Sequence, residues 1–404
     1  MPVNLHLSPW HPVPGVELGA TASGIKKGGA TDLVLVRLPE GATVAAVFTR
    51  SHFRAAPVTV GAEHLAGSEG AIRGLLVNSG NANAGTGEPG VRDARESCEA
   101  VSRALGVPAG SVLPFSTGVI GQRLPMDRLL AGIDALAGEL GTDWEAAARG
   151  IMTTDTVPKL ASRRVEIGGR TVTLTGTCKG SGMIRPDMAT MLAYVFTDAA
   201  VAAADLDVAL RAVLDDSFNA ITVDGDTSTN DALVLCATGA GPRLAGDDLV
   251  PFTEALRGLC TELAQAIVRD GEGATKFVAV RVTGGASRGE CRTVAYAIAD
   301  SPLVKTAMFA SDANVGRLLM AIGKARLPDG GALDPAAVTV SIGDVRAFER
   351  GGVADGYTEE RGAAVLAREE IDVTVDLGRG GAESTVWTSD LSHEYVSINA
   401  DYRS

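Results

Sequence analysis

Aromatic residues make up only 4% of this 404-residue sequence, and it has just five histidines and five cysteines. The cysteines, Cys98, Cys178, Cys236, Cys260 and Cys291, are odd in number, widely spaced and form no C-x-x-C pair. That pattern fits a reducing compartment, where the cysteines are small buried hydrophobes. Cys178 borders the most distinctive loop of the chain, where a reactive thiol is the competing reading. None of the histidines, His6, His11, His52, His64 and His393, lies in the stretches around Thr117, Thr190 or Glu272, leaving poor material for a Ser-His-Asp triad. With no H-E-x-x-H and no paired Cys/His spacing, no metal is expected. No apolar run approaches bilayer length, and the first residues lack a basic start and an apolar core, which predicts a cytoplasmic protein without a membrane segment. A formal charge of −13 and a pI near 4.9 argue against nucleic-acid and anionic-lipid partners, which require clustered Lys and Arg.

What the chain does have is 46% hydrophobic residues and 49 glycines, enough for one large core or two domains with many tight turns. The organising stretch is 179–199, K-G-S-G-M-I-R-P-D-M-A-T-M-L-A-Y-V-F-T-D-A. Its first half is loop, with Gly180, Gly182 and Pro186; its second half, 190–197, is a continuous apolar run of the buried-strand type. Thr190 thus opens a strand, after the small Ala189. A β-branched residue in that place is ordinarily there for its fit to a pleated surface. The chemical alternative is attack of the Thr190 hydroxyl on the Ala189 carbonyl. An N-to-O acyl shift and hydrolysis would then free an α-amine able to activate the same hydroxyl.

Upstream, 31–38 and 42–49 read as two strands joined by P-E-G, a hairpin signal, and 75–78 as another strand running into the Gly/Asn-rich loop 79–90. That loop lacks the Walker and G-x-G-x-x-G spacings, so nucleotide binding is rejected. Helical spacing at 91–105 precedes V-L-P-F-S-T-G-V-I-G-Q-R-L-P, which places Thr117 and Gly118 on a tight turn after a strand. A glycine N–H beside a threonine hydroxyl is a donor pair suited to an oxyanion. Helices are expected at 126–140 and 144–150, strands at 163–167 and 171–177, a helix at 204–218, a strand at 231–238, a helix at 251–270 and a strand at 277–283. Asp224, Asp226 and Asp231 lack the closing Glu of a calcium loop and are read as a turn packed against the site. The segments 372–377 and 383–388 alternate like paired strands. The fold class is therefore α+β, with helices outside stacked β-sheets.

Six blocks, N-S-G-N-A-N-A, S-T-G-V-I-G, I-M-T-T-D-T, D-G-D-T-S-T-N-D, R-D-G-E-G-A-T-K and D-L-S-H-E-Y-V, together with the stretch around Thr190, resemble the bifunctional glutamate N-acetyltransferase family, also called ornithine acetyltransferase. The resemblance extends over nearly the whole chain. It implies a DmpA/ornithine-acetyltransferase-like, self-cleaving N-terminal-nucleophile fold, cut between Ala189 and Thr190 into products 1–189 and 190–404, which need not be independent domains. It implies Thr190 as nucleophile, Thr117 and Gly118 as oxyanion donors, and Thr153, Lys179, Thr190, Glu272, Asn399 and the terminal Ser404 as substrate contacts, with the C-terminal tail tied down. The implied substrates are N-acetylornithine, glutamate and ornithine in arginine biosynthesis. No cofactor is implied, acetyl-CoA is a possible co-substrate, and the assembly is a heterotetramer of two alpha and two beta chains. Ala313 and Val315 depart from the family's Pro and Trp. Two other function classes compete: an N-terminal-nucleophile amidase or aminopeptidase that passes the acyl group to water, and a non-catalytic metabolite-binding protein that never splits itself.

Overall fold

The computed structural model describes residues 1–185, 191–328 and 330–400. Its strands in chain order are β1 Glu17–Thr21, β2 Leu33–Arg37, β3 Thr43–Phe48, β4 Gly74–Asn81, β5 Val112–Val119, β6 Lys159–Ile167, β7 Arg170–Lys179 and β8 Leu192–Thr197, then β9 Ile221–Thr222, β10 Ala232–Ala237, β11 Phe277–Gly285, β12 Thr339–Ile342, β13 Val345–Glu349, β14 Gly352–Val353, β15 Glu370–Asp376 and β16 Ala382–Ser389. The helices are α1 Ala56–Gly67, α2 Gly87–Leu105, α3 Met126–Ala137, α4 Trp144–Gly150, α5 Ala203–Leu214, α6 Leu249–Arg269, α7 Arg288–Ala299, α8 Pro302–Phe309, α9 Val315–Gly323, α10 Glu359–Leu366 and α11 His393–Ala400. Among the described residues no helix is long and apolar enough to cross a membrane.

The chain is α+β and divides into two compact units: 6–219 with 226–267, and 1–5 with 220–225 and 268–404. This division does not coincide with residue 189, because β8 and β10 lie in the first unit with everything from β1 to β7.

The larger unit stacks a four-stranded sheet, β1-β2-β4-β5, on a five-stranded one, β3-β10-β8-β7-β6. Period-2 alternation explains the stacking. Val34, Val36, Leu75, Val77, Leu113 and Phe115 of the first sheet share a core with Val44, Ala46, Leu192, Tyr194, Phe196 and Val234 of the second. With few aromatics available, two edge-to-face pairs fill the thick part of this core: Phe115–Tyr194 at 5.2 Å and Trp144–Phe196 at 5.3 Å. The opposite faces are covered by helices. Leu33, Leu35 and Leu76 pack with α1, α2 and α3, and α6 lies so close to β7 that a Cβ on Gly176 would stand 2.6 Å from the Leu263 side chain.

The smaller unit has one sheet, in the order β14-β13-β12-β15-β11-β16-β9. Val278, Val280, Val282, Val373 and Val375 pack against Val294, Ile298, Met308, Leu318 and Leu366 of α7 to α10. Stacked sheets therefore describe the larger unit, and a single helix-covered sheet describes the smaller.

Two strand pairings differ from the sequence expectation. The strands β2 and β3 do not form a hairpin: both neighbours of β2 are taken by β1 and β4, and β3 pairs with β10. The P-E-G connector instead carries the chain from one stacked sheet to the other, with Leu38 and Ala42 buried in the shared core at its two ends. Likewise β15 and β16 flank β11, parallel to the first and antiparallel to the second. Their connection wraps the end of β11 through Leu377 N–H to Thr283 O and Arg379 N–H to Gly284 O. In the 301–317 region, Asn314 caps α9 by accepting from Arg317 N–H at 3.1 Å, and the Tyr357 hydroxyl donates to Ala313 O at 2.8 Å. A helix start is thus built there without a proline.

Candidate active site

The C-terminal end of β5 carries Thr117 and Gly118. They are the third-last and second-last residues of the strand, not a turn after it. A register shift at Gly80/Asn81, where Asn81 faces both Thr117 and Val119, breaks the β4–β5 ladder beside them. Bulges of this kind re-aim groups next to functional sites. Gly118 holds φ +132°, and an added Cβ would sit 2.3 Å from Gly80 C and 2.5 Å from Asn81 N. Only glycine fits so close a backbone approach.

The asparagines of the 78–90 stretch hold this end of the sheet in shape. Asn78 Nδ2 donates to Asn81 O, Asn81 Nδ2 to Arg123 O, and Asn81 Oδ1 accepts from Asn83 N–H. Asn83 Nδ2 donates to Gly90 O, and Asn230 Nδ2 reaches Ala82 O and Ser116 O. These amides hydrogen-bond main-chain groups of the segments around the bulge, a scaffolding role for Asn81 and Asn83.

Lys179 ends β7, and its Nζ stands 3.4 Å from Thr117 Oγ1. Thr153 is brought to the same place by Asp155, a fully buried carboxylate. Asp155 accepts from Thr153 N–H at 3.0 Å, Gly180 N–H at 2.7 Å and Lys159 Nζ at 2.7 Å. The aspartate thus caps the turn. Burial alone would raise the Asp155 carboxyl, but the charges of Lys159 and Lys179 and the hydrogen bonds from Lys159 and Thr153 outweigh it. The group is held well below the usual carboxylate range. Its contribution to stability is therefore complete above the unfolded value near 4 and is lost as pH falls toward the lower folded value. Substituting Asp155→Asn removes the carboxylate facing Lys159, whose side chain is 0% exposed. The expected cost is about 3–5 kcal/mol, read as a lowered unfolding midpoint at pH 7 that converges on wild type in acid.

Lys26 adds a further cation. Its Nζ donates to Met152 O at 2.8 Å and Thr31 O at 3.0 Å. Asp32 gathers the Ser23, Gly24 and Lys26 N–H groups on its buried carboxylate. Burial pulls the Lys26 ammonium down, Asp32 and Asp155 pull it back up, and Lys179 reinforces the lowering. Asp231 lies one residue before β10, whose Ala232 N–H donates to Met191 O. Burial raises its carboxyl well above the usual range, against Ser228 hydrogen bonds and the Lys179 charge, and among the described residues Oδ2 has no hydrogen-bond partner.

The smaller unit brings Glu272 and Asn399 together, with Asn399 Nδ2 donating to Glu272 Oε2 at 2.7 Å. Ser392 Oγ donates to Gly273 O at 2.6 Å, and a Cβ on Gly273 would meet Tyr395 N at 2.5 Å. The tail is a helix, α11, seated on the Glu272 turn. Ala189, Thr190 and Ser404 lie outside the described residues. Among the described residues no group of His, Cys, Asp and Glu is arranged to hold a metal ion. The five thiols are free and buried; burial raises Cys178 far above its ordinary value, the opposite of what a reactive thiolate needs.

Sequence reasoning did not single out Asp155, Lys159, Lys26 or Asp32. Only the first two carried a local signal, as an acid and a base four residues apart in T-T-D-T-V-P-K.

The ArgJ family model matches residues 17–404. The arginine biosynthesis bifunctional protein ArgJ of Pseudomonas syringae pv. tomato (strain ATCC BAA-871 / DC3000) is 52% identical over 406 residues, covering 97% of each chain. Among solved structures, arginine biosynthesis bifunctional protein ArgJ from Bacillus halodurans is 39% identical, over 51% of this chain and 97% of that one, with a TM-score of 0.48. Ornithine acetyltransferase from Mycobacterium tuberculosis, complexed with ornithine, is 37% identical, over 44% of this chain and 94% of that one, with a TM-score of 0.38. The family match over nearly the full length, and a relative identical at half its positions, make this chain a member of the ArgJ family.

Proposed function

We propose that this ArgJ-family enzyme moves the acetyl group of N2-acetyl-L-ornithine to L-glutamate, giving L-ornithine and N-acetyl-L-glutamate, through an acetyl ester on Thr190. The observation that carries the reading is the end of β5, where the Gly118 backbone and the Thr117 hydroxyl lie beside the Lys179 ammonium. An acyl-transfer oxyanion needs donors fixed before the charge develops, and the clash that forbids a side chain at 118 is the sign of a backbone set in one place.

The chemistry begins with the chain itself. The Thr190 hydroxyl adds to the Ala189 carbonyl, the amide bond opens to an ester, and water releases 1–189 from 190–404. The new α-amine, with a reference pKa of about 7.7–8.0, is a better base at neutrality than a lysine near 10.4. It takes the hydroxyl proton as Thr190 attacks the acetyl carbonyl and returns it to the departing ornithine nitrogen. Glutamate then enters, its amine attacks the acetyl ester, and N-acetylglutamate leaves. Glu272 receives the substrate ammonium, a charge-assisted contact, and Lys179 and Thr153 take polar groups of the bound amino acid. Acetyl-CoA serves as an additional donor. The working form is a heterotetramer of two alpha and two beta chains in the cytoplasm.

Incubation with acetyl-labelled N-acetylornithine tests this directly. With glutamate present, the label is expected in N-acetylglutamate, with parallel double-reciprocal plots; label recovered mainly as free acetate would make the protein an amidase instead. Replacing the donor with labelled acetyl-CoA reads the second activity separately.

A further inference from the structure

The Glu272 turn is held by a buried polar assembly to which the catalytic scheme gives no task. Lys305, on α8, is 3% exposed. Its Nζ donates to Thr388 Oγ1 at 2.8 Å and also to Ser389 O, while its own main-chain carbonyl accepts from Leu391 N–H at 3.2 Å. The segment 388–391 is therefore gripped twice by one lysine. In the middle of that segment Asp390, 2% exposed, accepts from Thr275 N–H at 2.8 Å, Thr275 Oγ1 at 2.6 Å and Lys276 N–H at 2.9 Å. Two residues on, Ser392 holds Gly273 O, and α11 begins at His393. The same five residues thus fix the chain that follows Glu272 and the start of the helix that brings Asn399 to it.

Charge explains why a lysine is used. Burial pushes the Lys305 ammonium down to about 8, and the carboxylates of Asp390, Asp300 and Asp224 oppose that shift. Asp300 accepts from Thr222 Oγ1, and Asp224 from the Tyr395 hydroxyl. The cation is the common counter-charge of three acids that anchor β9, the Glu272 turn and α11. A buried charge persists only when it is compensated and hydrogen-bonded in this way.

We propose that Asp390 and Lys305 are positioning residues: their clamp on 388–392 sets the direction of the Glu272 carboxylate and the register of Asn399, and so fixes how tightly the enzyme holds the ammonium of its amino-acid substrate. The inference rests on the reading of Glu272 given above.

Steady-state kinetics with N-acetylornithine and thermal unfolding, measured together on Asp390→Ala, Lys305→Met, the double variant and Glu272→Gln, test it. Asp390→Ala is expected to raise KM roughly tenfold with a smaller change in kcat, the scale of losing a carboxylate that takes three hydrogen bonds. The double variant should unfold at a higher temperature than Lys305→Met, because the acids left around position 305 are one fewer, yet keep the raised KM. A KM that recovers together with the unfolding temperature would overturn the proposal and leave only charge balance. So would a wild-type KM in Asp390→Ala when Glu272→Gln raises it. A wild-type KM in Glu272→Gln would overturn the ammonium reading and the clamp with it. Should Asp390→Ala not fold, Thr275→Val removes a single bond of the three; a KM raised about threefold supports the clamp, and an unchanged KM overturns it.

Discussion

Chains carrying Thr190→Ala are expected to stay in one piece at 41.3 kDa and to lose acetyl transfer by on the order of 10⁴-fold or more, the scale of deleting a nucleophile that acts together with its base. Both losses have one origin. Without the hydroxyl there is no N-to-O shift, hence no new amine, and without either group no acetyl ester. Thr190→Ser separates the two requirements, since it keeps a hydroxyl and an α-amine but loses the methyl group that restricts the rotamer. It should split more slowly and then transfer acetyl at a reduced rate. Intact mass over time, followed by N-terminal sequencing, reads the first step, and the labelled-acetyl assay reads the second. Complete splitting of the alanine variant at Ala189 would remove Thr190 from the mechanism.

The second large effect belongs to Gly118→Ala. Its Cβ would stand 2.3 Å from Gly80 C and 2.5 Å from Asn81 N, and main-chain atoms of a neighbouring strand cannot rotate aside as a side chain does. Strand β5 must move from β4 or leave φ +132°. Overpacking and a strained backbone each cost about 1–3 kcal/mol, so the unfolding free energy should fall by roughly 2–6 kcal/mol. On the proposed mechanism the displaced atoms include the donor backbone of the oxyanion, so kcat should fall by about 10²–10³ even in the folded fraction. A variant that folds, melts lower and keeps wild-type kcat would show that position 118 shapes the sheet only.

Local pattern identified most of the strands, because they are buried runs or alternate with a period of two, but it gave no reading of β9 or of β12 to β14. Who pairs with whom was less legible. A short connector such as Pro39-Glu40-Gly41 suits a hairpin and an arch between stacked sheets equally well; what decides is that β1 and β4 already occupy both edges of β2. The alternation of β15 and β16 shows which face each buries, not that β11 lies between them. At the site, motif residues such as Thr117, Lys179 and Glu272 were visible from their sequence blocks. The groups that hold the surrounding chain, Asp155 and Asp390, were not, nor was Asp32, which gathers the 23–26 loop. Each acts on main-chain N–H groups that only the folded chain brings near, and a lone aspartate in a loop looks the same whether it faces water or gathers three donors.

The neighbours of β8 carry a last consequence. It is hydrogen-bonded along its length to β7 on one side and β10 on the other, so a break between 189 and 190 would fall between two adjacent strands of one sheet. The two polypeptides would then be held as firmly as the original single one, while their denatured forms could drift apart on dilution. Molecularity would change with the cut: the precursor finds its fold alone, whereas the matured enzyme, once denatured, must first meet its other half.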